Sequence, residues 1–161
     1  LQGDLPEMNP HMLSALSAAL NTGHFDIITP VAPLAAEEQP LEQVVKAVVS
    51  WPDGDITQTG WALYFSRAPI PHGGITDTDI SATTPTELAA MWDHVGVYGW
   101  QRAALERFIT LPLSALERTE KLEQLRAIEA GMRIGAIAVD MAITGIDTES
   151  DLQAAVKRLK S

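Results

Sequence analysis

Short, nearly continuous apolar runs alternate along this chain with segments whose apolar residues recur at helical spacing, and that alternation confines the fold to the α/β class. The runs cover residues 26–32, 44–49, 61–65 and 134–139. They are short and strongly apolar, which suits strands buried in a sheet. Between them, Met12, Leu13, Leu16, Ala19 and Leu20 mark a helix over 9–20, opened by Asn9-Pro10 and ended by Asn21-Thr22-Gly23. A helical turn is expected over 35–39, stopped by Pro40, and a sharp turn over 51–55. Residues 93–98 read as a further strand, with His94, Gly96 and Tyr98 on one face and Val95 and Val97 on the other. Residues 102–108 read as a short helix. Residues 114–132 read as one longer helix closed by Gly131, with a Glu117/Lys121 pair on its solvated side. Thr148, with Asp151 three positions on, introduces a last helix through Leu159, and 72–86 is a polar loop.

The chain has 161 residues, the size of a single domain, and no repeats or linkers divide it. Its 11 Lys and Arg against 21 Asp and Glu leave a net charge of −10, which argues against a duplex nucleic-acid binder but not against a nucleotide substrate. There is no cysteine, so thiolate metal sites, thiol nucleophiles and disulfides are excluded. No apolar run approaches the roughly 18 residues of a membrane span, and a cytoplasmic enzyme is the default expectation. The chain opens Leu1-Gln2-Gly3-Asp4-Leu5-Pro6 without an initiating methionine. Gly3-Asp4 followed by Pro6 reads as a strand end turning into a loop, so an upstream half is expected to lie elsewhere.

Several side chains carry two readings each. Asp4, just past a strand end, is either a turn aspartate or a group meeting a ligand at the carboxyl edge of a sheet. Asp147, after Gly145-Ile146, is either favoured by a helix dipole or, with Asp4, one of two oxygen ligands of the kind that hold Mg²⁺. Arg67 precedes Pro69-Ile70-Pro71 and should stand on a loop beside a strand end, either solvated or forked onto a carboxylate. His94 and Tyr98 are either hydrogen-bonded core groups or polar tips over the space left by Gly96. Adjacent positions such as Glu123 and Gln124 point about 100° apart on a helix, so a solvated polar face is the simple reading there.

Taken in order, these segments have a common likeness. Gln2-Gly3-Asp4 with Pro6, then Val45-Lys46-Ala47-Val48-Val49, then Tyr64-Phe65-Ser66-Arg67-Ala68-Pro69-Ile70-Pro71 form the first part of it. His94-Val95-Gly96-Val97-Tyr98, Glu120-Lys121-Leu122-Glu123-Gln124-Leu125-Arg126 and Thr144-Gly145-Ile146-Asp147-Thr148 complete it. The series resembles the CMP-Kdo synthetases, the 3-deoxy-manno-octulosonate cytidylyltransferases, over essentially the whole chain. The Tyr64–Pro71 and Glu120–Arg126 stretches are the most specific, whereas Gln-Gly-Asp is shared more widely among sugar nucleotidyltransferases.

The resemblance implies a Rossmann-like α/β/α nucleotidyltransferase fold with a mixed sheet, of which 1–161 is the C-terminal sugar- and metal-binding part. It implies that Asp4 and Asp147 are catalytic and hold Mg²⁺. Gln2, Arg67, His94, Tyr98, Glu123 and Gln124 would bind substrate. CTP and 3-deoxy-manno-octulosonate would be the substrates of a cytoplasmic homodimer serving lipopolysaccharide assembly. Leu5 stands where the family has Glu, and the family's CTP-binding loop lies upstream of Gln-Gly-Asp. Two alternatives remain at this level: a non-catalytic fragment or dimerisation module of the same fold, and a cytidylyltransferase for a sialic or other nonulosonic acid.

Overall fold

The structure, a computed structural model, describes residues 10–72 and 91–140. Gln2, Asp4, Asp147, the expected last helix and nearly all of the polar loop lie outside the described residues. Within them, the α/β reading holds. The first helix, α1 (Pro10–Asn21), buries Met12, Leu16 and Ala19 as one stripe. It ends where Gly23 turns to φ +73° and the Thr22 and Gly23 amides bond back to the Ala19 and Leu20 carbonyls.

Strand β1 (Ile27–Pro33) follows and is buried at every position but the last, as its unbroken apolar run requires. It pairs parallel with β6 (Ile134–Ala138), from Ile27 opposite Ile134 to Val31 opposite Ala138. It pairs antiparallel with two short strands, β4 (Trp92–His94) and β5 (Gly99–Trp100). Strands β2 (Lys46–Ser50) and β3 (Gly60–Ser66) run antiparallel to each other, with a register shift between Val48 and Val49. Among the described residues the sheet is six-stranded and mixed, in the order β4-β2-β3-β6-β1-β5. Because β4 bonds to β1 as well as to β2, the pairings β1–β6–β3–β2–β4–β1 close a circuit. Gly135 permits the close packing on β6: a Cβ there would stand 2.5 Å from Ile28 Cδ1 and 2.8 Å from the Phe25 ring.

Alternate residues of β1 feed two apolar clusters, one on each face of the sheet. Ile28 and Ala32 pack with Met12, Leu16 and Ala19 of α1. Ile27 and Val31 pack with Phe65 and with Ala104, Leu125 and Ala127 from the helical segment 102–129. Helices on both faces make this an α/β/α arrangement.

Two expected elements are corrected. The strand expected over 93–98 stops at His94, and the chain re-enters the sheet only at Gly99. Between them the backbone folds on itself: the Val97 amide bonds to the Val95 carbonyl at 2.6 Å, and both carbonyls face the hydroxyl of Thr29. That side chain offers the backbone an alternative to a ladder partner. The helix expected over 114–132 is two helices, α3 (Ala115–Glu120) and α4 (Gln124–Glu129), separated at Lys121 with φ 57° and ψ 45°. A left-handed lysine costs about 1–2 kcal/mol. Glu117, whose carboxylate accepts the N–H of the N-cap residue Ser114, meets Arg126 at 2.8 Å across the break, so the expected Glu117/Lys121 pair gives way to Glu117–Arg126. The short helix α2 (Arg102–Phe108) falls where its pattern places it.

Candidate functional site

A cleft of about 980 Å³ opens between α1, the 94–100 segment, α2 and the α3–α4 junction. Arg67, His94, Tyr98, Glu123 and Gln124 all line it. These are the substrate-binding residues expected from sequence that fall within the described residues, and the fold brings every one to the same cavity. Gln2, Asp4 and Asp147 lie outside the described residues.

Arg67 follows the last residue of β3, and its backbone is held at both ends. Its N–H donates to Glu120 Oε2 at 3.3 Å, and its carbonyl accepts from Lys46 Nζ at 2.8 Å. Glu120 also accepts from the Ser66 hydroxyl, 2.9 Å from each carboxylate oxygen, so the strand end is tied to the end of α3. Lys46 is fully buried, and burial lowers its pKa. Its ammonium group bonds as well to the carbonyls of Leu41 and Val44, 2.9 Å from the latter. The same turn supplies the Glu42 carbonyl, which accepts from Arg67 Nη1 at 3.0 Å. A guanidinium carries five N–H donors, so one such bond fixes its direction while leaving capacity for a carboxylate in the cleft.

His94 ends β4 and packs edge-on against Phe65, with ring centroids 4.7 Å apart. Its Nε2 lies 3.1 Å from Thr29 Oγ1 on β1. Burial disfavours the imidazolium and pulls its pKa down to about 4, so the ring is neutral at physiological pH. From His94 an aromatic series runs along the cleft: Tyr98 at 5.5 Å, then Trp100 at 6.3 Å from Tyr98, then Phe108 at 4.8 Å from Trp100. Arg126 closes the series with its guanidinium 4.5 Å from the Phe108 centroid. Burial, and then the negative charge of Glu123, raise the pKa of the Tyr98 phenol, which stays protonated and able to donate. Above Gly96 nothing stands within 4 Å of where a Cβ would be, so the space over this turn is open.

The α3–α4 break explains how adjacent residues share a site. Glu123 precedes α4 and Gln124 begins it, the first exposed and the second buried, yet both line the cleft. Lys121 lines it too, and sequence reasoning missed it by assigning it to an ion pair on the solvated side. The apolar wall formed by Leu13, Leu16 and Leu20 of α1 with Trp100 and Phe108 also went unforeseen. The arrangement combines two cations, Arg67 and Lys121, with one carboxylate, Glu123, and the neutral donors and acceptors of His94, Tyr98 and Gln124. Such a set suits a ligand with one anionic group and several hydroxyls.

Comparison with known proteins places the chain in a family. A family model described as cytidylyltransferase matches residues 1–134. The chain is 43% identical to the 3-deoxy-manno-octulosonate cytidylyltransferase of Bradyrhizobium sp. (strain ORS 278), over 99% of this chain and 58% of that protein. It is 41% identical to the protein of the same name from Paramagnetospirillum magneticum (strain ATCC 700264 / AMB-1), over 100% of this chain and 59% of the relative. Among solved structures it resembles CMP:2-keto-3-deoxy-manno-octonic acid synthetase complexed with CTP. The TM-score is 0.79 at 30% identity, covering 100% of this chain and 61% of that one. The chain thus spans less than two thirds of the length of these relatives. With more than half of its residues under the family model, the chain belongs to the cytidylyltransferase family.

Proposed function

We propose that this chain is the acceptor-binding part of an enzyme that activates 3-deoxy-manno-octulosonate with CTP, giving CMP-Kdo and pyrophosphate for lipopolysaccharide assembly. One observation carries the reading: Arg67, His94, Tyr98, Glu123 and Gln124 converge on a single cleft. The names of the relatives support the octulosonate over a sialic acid as the sugar.

In this reaction the anomeric hydroxyl of the sugar attacks the α-phosphorus of CTP. A P–O bond to the sugar forms as the bond to the β-phosphate breaks, pyrophosphate leaves, and the hydroxyl proton passes to solvent. Such a displacement asks little covalent work of the protein and much alignment. Arg67 forks onto the sugar carboxylate, and Lys121 adds a second positive charge that makes the anion tolerable beside a triphosphate. Tyr98 donates to a hydroxyl, and Glu123 and Gln124 accept from or donate to others. Gln2 is a further substrate-binding residue in this reading.

Asp4 and Asp147 are two hard-oxygen donors, a set that fits Mg²⁺, which takes few carboxylates and completes its shell with water and phosphate oxygens. When bound, the ion offsets charge on the phosphates and lowers the pKa of the attacking hydroxyl. A homodimer in the cytoplasm, with no nucleic-acid or membrane partner, completes the reading. Among the described residues no helix is long and apolar enough to cross a membrane.

The test is pyrophosphate release from CTP by the full-length gene product. Release that requires both the octulosonate and Mg²⁺ is expected. Turnover with a sialic acid and none with the octulosonate would overturn the substrate assignment.

A further inference from the structure

We propose that Thr29 is a positioning residue for His94, fixing the imidazole as its Nε2–H tautomer so that Nδ1 serves the cleft as an acceptor for a sugar hydroxyl. The inference rests on the reading that the cleft binds a polyhydroxylated acid.

The assignment follows from counting protons at one oxygen. Thr29 Oγ1 lies 2.8 Å from the Val97 carbonyl, 3.2 Å from the Val95 carbonyl and 3.1 Å from His94 Nε2. Carbonyl oxygens only accept, so the single hydroxyl proton is directed at them, with Val97 the closer. Toward His94 the hydroxyl then presents a lone pair, and Nε2 must bring the hydrogen. In the reverse tautomer either the Nε2 lone pair would face an Oγ1 lone pair, or the hydroxyl would turn its proton to Nε2 and give up its 2.8 Å bond to the Val97 carbonyl. Thr29 is completely buried on β1, which is paired with β6 on one side and with β4 and β5 on the other. The hydroxyl is therefore fixed by the centre of the sheet. A neutral imidazole protonated at Nε2 has its lone pair at Nδ1.

The consequence is discrimination between the two kinds of group on the ligand. An acceptor attracts a hydroxyl and repels a carboxylate, which is left to Arg67 and Lys121. An imidazolium, with two donors, would attract the carboxylate itself and permit a reversed pose. Thr29 thus helps to set which way round the sugar lies.

Nitrogen-15 NMR of the full-length gene product, labelled at histidine, reads the tautomer without any substrate. His94 is expected to show a protonated Nε2 and an unprotonated Nδ1. Thr29→Val keeps the volume and removes the hydroxyl; it should shift His94 toward the Nδ1–H form. In the same variant the octulosonate KM should rise about tenfold, with kcat and the CTP KM nearly unchanged. Thr29→Ser retains the hydroxyl and should restore both the tautomer and the KM. An Nδ1–H tautomer in the wild-type protein would overturn the proposal, as would a Thr29→Val variant with wild-type tautomer and KM. Because the spectrum needs no turnover, loss of the substrate assignment would leave the tautomer result to stand or fall by itself.

Discussion

The carboxylate of Glu120 accepts the backbone N–H of Arg67 at 3.3 Å across a gap of 53 residues in sequence. On the other side of the same residue, the Lys46 ammonium group donates to the Arg67 carbonyl at 2.8 Å. Two side chains of opposite charge therefore hold the peptide groups that flank the guanidinium, and the guanidinium itself is bonded to the turn that Lys46 also binds. Arg67 is presented to the cleft by this arrangement rather than by its own loop.

Glu120→Gln keeps the shape of the side chain and removes its charge. Charge-assisted bonds to the Ser66 hydroxyl and the Arg67 amide weaken, at about 1–3 kcal/mol of stability. Steady-state kinetics should show the octulosonate KM rising about tenfold while the CTP KM holds. Equal rises in both would mean that Glu120 supports the fold generally and not Arg67 in particular.

Lys121 combines backbone strain with a charge in the cleft. Lys121→Gly relieves the left-handed conformation, and urea denaturation should show a gain of about 1 kcal/mol. The same variant loses a cation that lines the cleft, so the affinity for the acid sugar should fall. A variant that is more stable and binds the sugar as tightly as wild type would exclude Lys121 from the site.

The Glu117–Arg126 pair is nearly enclosed, its side chains 7% and 17% exposed, with a separation of 2.8 Å. Arg126→Met strands the Glu117 carboxylate and should destabilise the protein by about 3 kcal/mol or more. Adding Glu117→Gln should recover much of that loss, because the uncompensated charge is gone. Chemical denaturation of the two single variants and the double variant measures the coupling. Additive losses would mean that the pair does not hold the α3–α4 junction.

Neighbouring residues on β4 oppose each other in acid. His94 titrates at about 4 in the fold against 6.5 ordinarily, so the unfolded chain binds the extra proton and stability falls as pH drops from 6.5 toward 4. Asp93 is raised from 3.8 to about 6, chiefly by burial and then by Glu38, with Lys46 acting the other way. Here the folded chain binds the extra proton, so stability is fully present below 3.8 and declines as pH rises through 6. Thermal melts from pH 4 to 6.5 should therefore show a steeper acid loss in Asp93→Asn than in the wild-type protein. In His94→Gln the slope should reverse. An unchanged pH profile in both variants would contradict these shifts.

What the sequence disclosed and what it hid have separable causes. Helix α1, the apolar strands and α2 were legible because each buries a face whose period is local. The break at Lys121 was not, since nothing in a lysine announces a left-handed backbone and the compensating Glu117–Arg126 contact is tertiary. Where residues 95–98 leave the sheet, the Val95 and Val97 carbonyls meet the Thr29 hydroxyl, 66 and 68 residues away in sequence. At the site, Arg67, His94, Tyr98, Glu123 and Gln124 each admitted an ordinary structural reading and became legible only as a set in a fixed order. Lys121 was hidden by a plausible i, i+4 pairing, and the roles of Lys46 and Glu120 by distance along the chain.

The central claim is that this cleft takes the acid sugar through Arg67, and the variant Arg67→Lys in the full-length gene product tests it most directly. Lysine keeps the positive charge and loses the planar fork that a carboxylate requires. Steady-state kinetics with each substrate varied in turn should give an octulosonate KM raised at least about tenfold, with the CTP KM within about twofold of wild type. An unchanged octulosonate KM, or a loss confined to CTP, would contradict the assignment of the cleft.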